Sequence, residues 1–224
     1  MNPTIKNHKM KRLSIIMIAL ISIFTTANAQ DSQKAKKLLD EVSSKVKAYN
    51  NMVIDFKYSL ENEAEGVNQE TRGDVSINGE KYVLNLMGTT QLFDGKKIYT
   101  IIPEDQEINI SNYVAEEENN ITPSKMFTFY QDGYNYKWDI TQDIKGRKIQ
   151  YIKLTPKDSN ADVKNILLGI DSQTKHIYNL IQTQENGTKI TITVKSFKTN
   201  QPLAKNLFSF NEARYKDFYI NRLD

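Results

Sequence analysis

The side chains able to do covalent or metal chemistry are few. The chain has 224 residues, no Cys, and two His, His8 and His176. Without Cys there is no thiolate nucleophile, no disulfide and no sulfur-ligated metal. His176 follows Thr174-Lys175 and reads as a histidine at a strand edge beside a turn, with no Asp/Glu/His spacing around it that suits a metal. Glu116-Glu117-Glu118 could gather a cation, yet contiguous acids ahead of Asn119-Asn120 read as a solvated loop. There is no nucleophile elbow, phosphate loop or dinucleotide fingerprint, and spacing singles out no pair of carboxylates. The expectation is a protein that is not an enzyme and uses no cofactor or metal.

Charge offers a different lead and then withdraws it. The formal net charge is +3, which invites a polyanion as partner. Lys6, Lys9, Lys11 and Arg12, however, precede the apolar run Leu13 to Phe24 and the small-residue site Ala27-Asn28-Ala29. That order is the pattern of a secretory signal peptide, and the run is shorter than the ~20 residues that span a membrane. Cleavage after Ala29 removes four of the 30 basic residues and none of the 27 acidic ones, leaving a net charge of −1 on 195 residues. No Cys follows the run, so the mature chain is not expected to be lipidated itself. Nucleic acid is excluded as a partner, because Lys and Arg are scattered with no basic stripe.

The elements that would position a site come in two kinds. Residues 31–50 read as one amphipathic helix, with Ala35, Leu38, Leu39, Val42, Val46 and Tyr49 on one stripe and Asp31 or Ser32 as cap. From Met52 the period changes to two. Ile54, Phe56, Tyr58 and Leu60 alternate with polar residues, and similar short runs recur at ~10-residue spacing to Phe208 and Phe210, read as the last strand. Asn78-Gly79, Asp94-Gly95 and Asn186-Gly187 are hairpin signals between them. A charge content of 25% with 39% hydrophobic residues suits a folded domain, and no linker divides the mature chain. The expected organisation is residues 1–29 as leader and 30–224 as one domain, an antiparallel barrel or strongly curved sheet. One interruption stands out: Thr122-Pro123 starts a short helix carrying Met126, Phe127, Phe129 and Tyr130 before Asp132-Gly133 ends it.

Large apolar side chains on such a sheet have two readings. They fill a barrel core, or they line a cavity between sheet and helices that takes an apolar guest. Periodicity fits both.

The order of motifs resembles a known family. The signal peptide, the helix, MVIDFKYSL (52–60), Gly73-Asp74-Val75-Ser76-Ile77, Lys81-Tyr82-Val83-Leu84 and Phe93-Asp94-Gly95-Lys96-Lys97-Ile98-Tyr99 are similar to the outer-membrane lipoprotein carrier proteins of Gram-negative bacteria, the LolA family. Pro103-Glu104, Thr122-Pro123, Leu154-Thr155-Pro156-Lys157, Asn186-Gly187-Thr188 and Phe208-Ser209-Phe210 follow in family order, so the resemblance covers the mature chain.

The resemblance implies an incomplete, strongly curved antiparallel β-barrel of about 11–12 strands with a helical lid over an apolar cavity. It implies a soluble periplasmic monomer that takes the acyl chains of lipoproteins from an inner-membrane ABC transporter and hands them to the outer membrane. Phe56, Tyr58, Val75, Ile77, Tyr82, Leu84, Leu86, Phe93 and Ile98 would face the cavity, with Met126 and Phe127 on the lid. Val83 and Asn85, on the opposite face of the third strand, would not. The sequence departs from the family where many members place an Arg-Pro pair whose Arg holds the lid. Here the region reads Asn78-Gly79-Glu80-Lys81, with Lys81 as the nearest cation. The alternative within the same fold is a periplasmic module that senses lipids or mislocalised lipoproteins.

Overall fold

A computed structural model describes residues 30–113 and 122–223; the expected leader, residues 1–29, and the Glu116–Glu118 run lie outside the described residues. A helix, α1, covers 30–47. Asp31 and Ser32 therefore lie within it rather than capping it, and Tyr49 lies just beyond its end. Its stripe of Ala35, Leu38, Leu39, Val42 and Val46 is buried in the main core, as expected of a one-faced helix laid on a sheet.

Among the described residues twelve strands form one sheet. They are β1 (Met52–Asn62), β2 (Val67–Asn78), β3 (Lys81–Leu86), β4 (Thr89–Phe93), β5 (Lys97–Ile102) and β6 (Glu107–Asn112), then β7 (Tyr134–Ile144), β8 (Arg147–Pro156), β9 (Val163–Asp171), β10 (Ile177–Gln184), β11 (Lys189–Thr199) and β12 (Tyr219–Leu223). Their order is β12-β6-β5-β4-β3-β2-β1-β11-β10-β9-β8-β7. Two antiparallel meanders thus grow outward from the β1–β11 seam, where Met52 to Glu61 pair with Thr199 to Lys189. The sheet is open and curled, an incomplete barrel whose ends are β12 and β7. Positive φ at Gly79 and Gly187 closes two of the expected hairpins.

The last strand differs from expectation. Phe208 and Phe210 are not in a strand. Phe210 stacks on Tyr99 at 4.5 Å and on Tyr215 at 5.5 Å, forming with Ile101, Ile108 and Ile110 a second, smaller core. The chain then reaches the far edge and β12 pairs with β6 in parallel, the one parallel pairing in the sheet among the described residues. Two aromatics spaced by two look like a strand, but here Phe210 uses both faces for ring stacking and Phe208 is buried.

The connection from β6 to β7 crosses from one half of the sheet to the other. The single helix expected after Thr122 is two 3-10 turns, Lys125–Phe127 and Phe129–Gln131. Lys125 N–H still bonds the Thr122 carbonyl at 2.9 Å, with the Thr122 hydroxyl also accepting at 3.3 Å. Phe127 in the first turn and Tyr130 in the second are both buried.

Candidate functional site

Between the curled sheet and this segment lies a cavity of about 480 Å³. Period two decides its walls. Ile54, Phe56 and Tyr58 of β1, Val75 and Ile77 of β2, and Tyr82, Leu84 and Leu86 of β3 face it. Ile98 of β5 completes this side. Met126 and Phe127 close it from the crossing segment, together with Thr122, Pro123 and Lys125. Ten of the eleven residues named from sequence therefore border one cavity. Phe93 does not. It is buried one layer back, packed between Tyr82 at 5.7 Å and Tyr113 at 4.7 Å, because the Tyr113 ring lies between it and the open space. Val83 and Asn85 lie off the cavity, as alternation requires.

The opposite wall was not named from sequence. Ile177 and Leu180 of β10 and Ile192 and Val194 of β11 face the same space. The alternation of Ile190, Ile192 and Val194 with Thr residues is visible in the sequence. That this face meets β1 depends on a pairing across ~140 residues, which no local pattern shows.

The cavity is mainly hydrocarbon with a small polar corner at Gln91, Thr100, Ser111 and Asn112. Tyr82 donates its hydroxyl to Gln91 Oε1 at 2.8 Å, and burial pushes its pKa up to about 12. The one charged residue among those lining the cavity is Lys125, whose Nζ lies 5.8 Å above the Tyr113 ring. No group of three or more His, Asp or Glu placed to hold a metal occurs among the described residues.

Tyrosines hold the crossing segment. The buried Tyr130 hydroxyl donates to the Leu39 carbonyl of α1 at 3.1 Å. Gln131 Nε2 donates to Ser43 Oγ at 3.1 Å, and Tyr136 on β7 reaches the carbonyls of Tyr130 at 2.6 Å and Gln131 at 3.0 Å. Lys81, the nearest counterpart of the family's arginine, instead lies along Gly95 at the β4–β5 turn.

His176 is satisfied within the fold. Its Nε2 shares a 2.8 Å hydrogen bond with the Tyr49 hydroxyl, and its ring stacks on Phe197 at 4.2 Å. Phe197 in turn meets Phe127 edge-on at 6.1 Å. Burial first, then the nearby Lys45, lowers the His176 pKa below its ordinary 6.5.

The family model of the outer membrane lipoprotein carrier protein LolA matches residues 24–187. With a curled twelve-stranded sheet around an apolar hollow, the chain belongs to the LolA family. The fold is shared with a conserved uncharacterized protein of Thermus thermophilus, at 11% identity and TM-score 0.57, over 85% of this chain and 99% of that one. The lipoprotein LppX of Mycobacterium tuberculosis is similar at 17% identity and TM-score 0.47, over 75% of this chain and 98% of that one. MucB of Pseudomonas aeruginosa, in its complex with MucA, is similar at 14% identity and TM-score 0.40, over 81% of this chain and 61% of that one. No curated protein sequence matches the chain. No helix among the described residues is long and apolar enough to cross a membrane.

Proposed function

We propose that this protein is a periplasmic carrier. It holds the acyl chains of lipoproteins in the cavity, receives them from an inner-membrane ABC transporter and delivers them to the outer membrane. The observation that carries the proposal is the hydrocarbon-lined cavity of about 480 Å³ under the crossing segment. A cavity of about 150 Å³ takes up one benzene ring. The space here therefore suits roughly 19 carbon atoms, the scale of one long acyl chain. Burying ~10 methylenes at ~0.8 kcal/mol each gives about 8 kcal/mol before ordering costs. Such contact is non-directional, so the cargo can leave when a better acceptor is met. The lining offers no carboxylate and no histidine to act as a base beside its hydroxyls, which supports binding over covalent chemistry.

The test is release of newly made lipoproteins from spheroplasts. Added wild-type protein should bring them into the soluble fraction, and mass spectrometry of the complex should find intact lipid. A cleaved lipid product would contradict the carrier reading. Absence of any release would point instead to the sensing alternative.

A further inference from the structure

Two neighbouring rows of side chains cross the cavity-facing side of the sheet and differ in character. One passes in strand register through Ile54, Val75, Leu84, Gln91 and Thr100, from β1 to β5. It runs on as Asn109 on β6 and Asn221 on β12. Asn109 shares this face with Ser111, two residues on, which lines the cavity. The row is hydrocarbon as far as Leu84 and amide or hydroxyl from Gln91 onward. The change falls inside the cavity, because Leu84, Gln91 and Thr100 all line it. The row beside it, Ile77, Tyr82, Phe93 and Ile98, stays apolar or aromatic from β2 to β5. Strands β4 and β5 therefore turn polar at a register position, not along their whole length.

Most polar groups in the row are held by the protein, and two are not. The buried Tyr82 hydroxyl donates to Gln91 Oε1 at 2.8 Å, which leaves the Nε2 hydrogens for another acceptor. Asn221 Nδ2 donates to Asn109 Oδ1 at 3.1 Å, and Asn109 Nδ2 donates to Glu107 Oε1 at 2.8 Å. Gln91 Nε2 and Thr100 Oγ1 have no hydrogen-bond partner among the described residues, and neither is shut away from the open space. A guest that displaces water from this corner must satisfy them, because polar groups left unpaired beside hydrocarbon are costly. Residues directly opposite on paired strands have Cβ atoms ~5 Å apart. Both side chains therefore reach one carbonyl oxygen, which has a lone pair for each.

We propose that Gln91 and Thr100 form a subsite for the acyl carbonyl, Gln91 Nε2 and Thr100 Oγ1 donating to its oxygen. An acyl chain is a hydrocarbon that ends in a carbonyl, whether ester or amide, so its two parts match the two parts of the row. The tail lies against Ile54, Val75 and Leu84. Whatever is joined to the carbonyl points along Asn109 and Asn221 toward the open edge at β12. The inference rests on the cavity reading and adds to it which group the cavity recognises and which way round the guest lies.

Removing the carbonyl alone tests the subsite. Binding is measured below micelle-forming concentration for a 1-monoacylglycerol and for the 1-O-alkyl glycerol of the same chain length, an ether that lacks only the carbonyl oxygen. A purely hydrocarbon wall favours the ether, since the ester carbonyl must shed its water without compensation. A carbonyl subsite reverses the order, and at the net worth of a neutral hydrogen bond wild type should bind the ester roughly three- to tenfold more tightly than the ether. Thr100→Val, which removes the hydroxyl at nearly constant shape, and Gln91→Met, which removes the amide, should each abolish most of that preference. Their affinity for the ether should match wild type, which also shows that they fold; Thr100→Val decides alone should Gln91→Met not fold. An ether bound as tightly as the ester by wild type overturns the subsite and leaves the cavity reading standing. So does an ester preference that survives in the variants, or an equal loss of both lipids in variants that circular dichroism shows to be folded. If neither lipid binds wild type, the cavity reading itself fails.

Discussion

Ile192→Glu puts a carboxyl into the β11 wall of the cavity, among residues that carry no charge. Ile192 pairs in register with Tyr58 and Leu180, neither of which is charged. Lys125, by contrast, is held over Tyr113 after β6, on the other meander. In the empty cavity water can solvate the new carboxylate; a bound acyl chain removes that water. The bound state then demands the neutral acid. At pH 7.5, protonating a group of ordinary pKa ~4.3 costs about 4.4 kcal/mol, at 1.36 kcal/mol per unit. At pH 5.0 the same step costs about 1 kcal/mol. Affinity for a fluorescent acyl probe should therefore fall by two to three orders of magnitude at pH 7.5, relative to wild type. At pH 5.0 the loss should shrink to tenfold or less. Ile192→Gln, with the same shape and no titration, should show one smaller loss at both pH values. Circular dichroism checks that each variant is folded. Wild-type affinity for Ile192→Glu at pH 7.5, or an equal loss at both pH values, would refute the assignment of this wall to an acyl chain.

Other perturbations address what frames the cavity. Tyr130→Phe removes the bond from the crossing segment to the Leu39 carbonyl; a net cost of about 1 kcal/mol should lower Tm by roughly 2–4 °C and speed probe release in stopped flow, and unchanged values of both would deny Tyr130 its holding role. Gly73→Ala places a Cβ 2.6 Å from Phe56 Cζ and 2.8 Å from the Asn85 carbonyl oxygen; overpacking should cost about 1–3 kcal/mol by denaturant titration, and a neutral result would mean that the seam relaxes freely. His176 binds its proton less readily in the folded than in the unfolded chain, so its contribution to stability is complete above pH ~6.5 and falls as pH drops through the lowered native value. Thermal midpoints should thus decline more between pH 7 and pH 5 for wild type than for His176→Phe, and parallel curves would remove His176 as the cause.

Much of this architecture is legible because it is local. Period two along Ile54, Phe56 and Tyr58 and along Tyr82, Leu84 and Leu86 fixes one face of each strand. Asn78-Gly79 and Asn186-Gly187 then mark where the chain reverses. The family resemblance supplies the hollow that periodicity leaves open. What escaped the sequence depends on distant contacts. Ile177, Leu180, Ile192 and Val194 join the site because β11 returns to β1. Phe93 leaves it because Tyr113 lies over it. The strand Tyr219–Leu223 is short, with Asn221 and Arg222 at its centre, and its partner β6 lies ~110 residues earlier. No local signal pairs them. The holding bond of Tyr130 likewise joins residues 91 apart, a contact no local pattern shows.

The carrier role is tested most directly by depleting the protein in the cell that makes it and fractionating the membranes. The account predicts that outer-membrane lipoproteins accumulate in the inner membrane as the protein disappears, and that wild-type protein restores their sorting while Ile192→Glu does not. Normal lipoprotein sorting in fully depleted cells would contradict it.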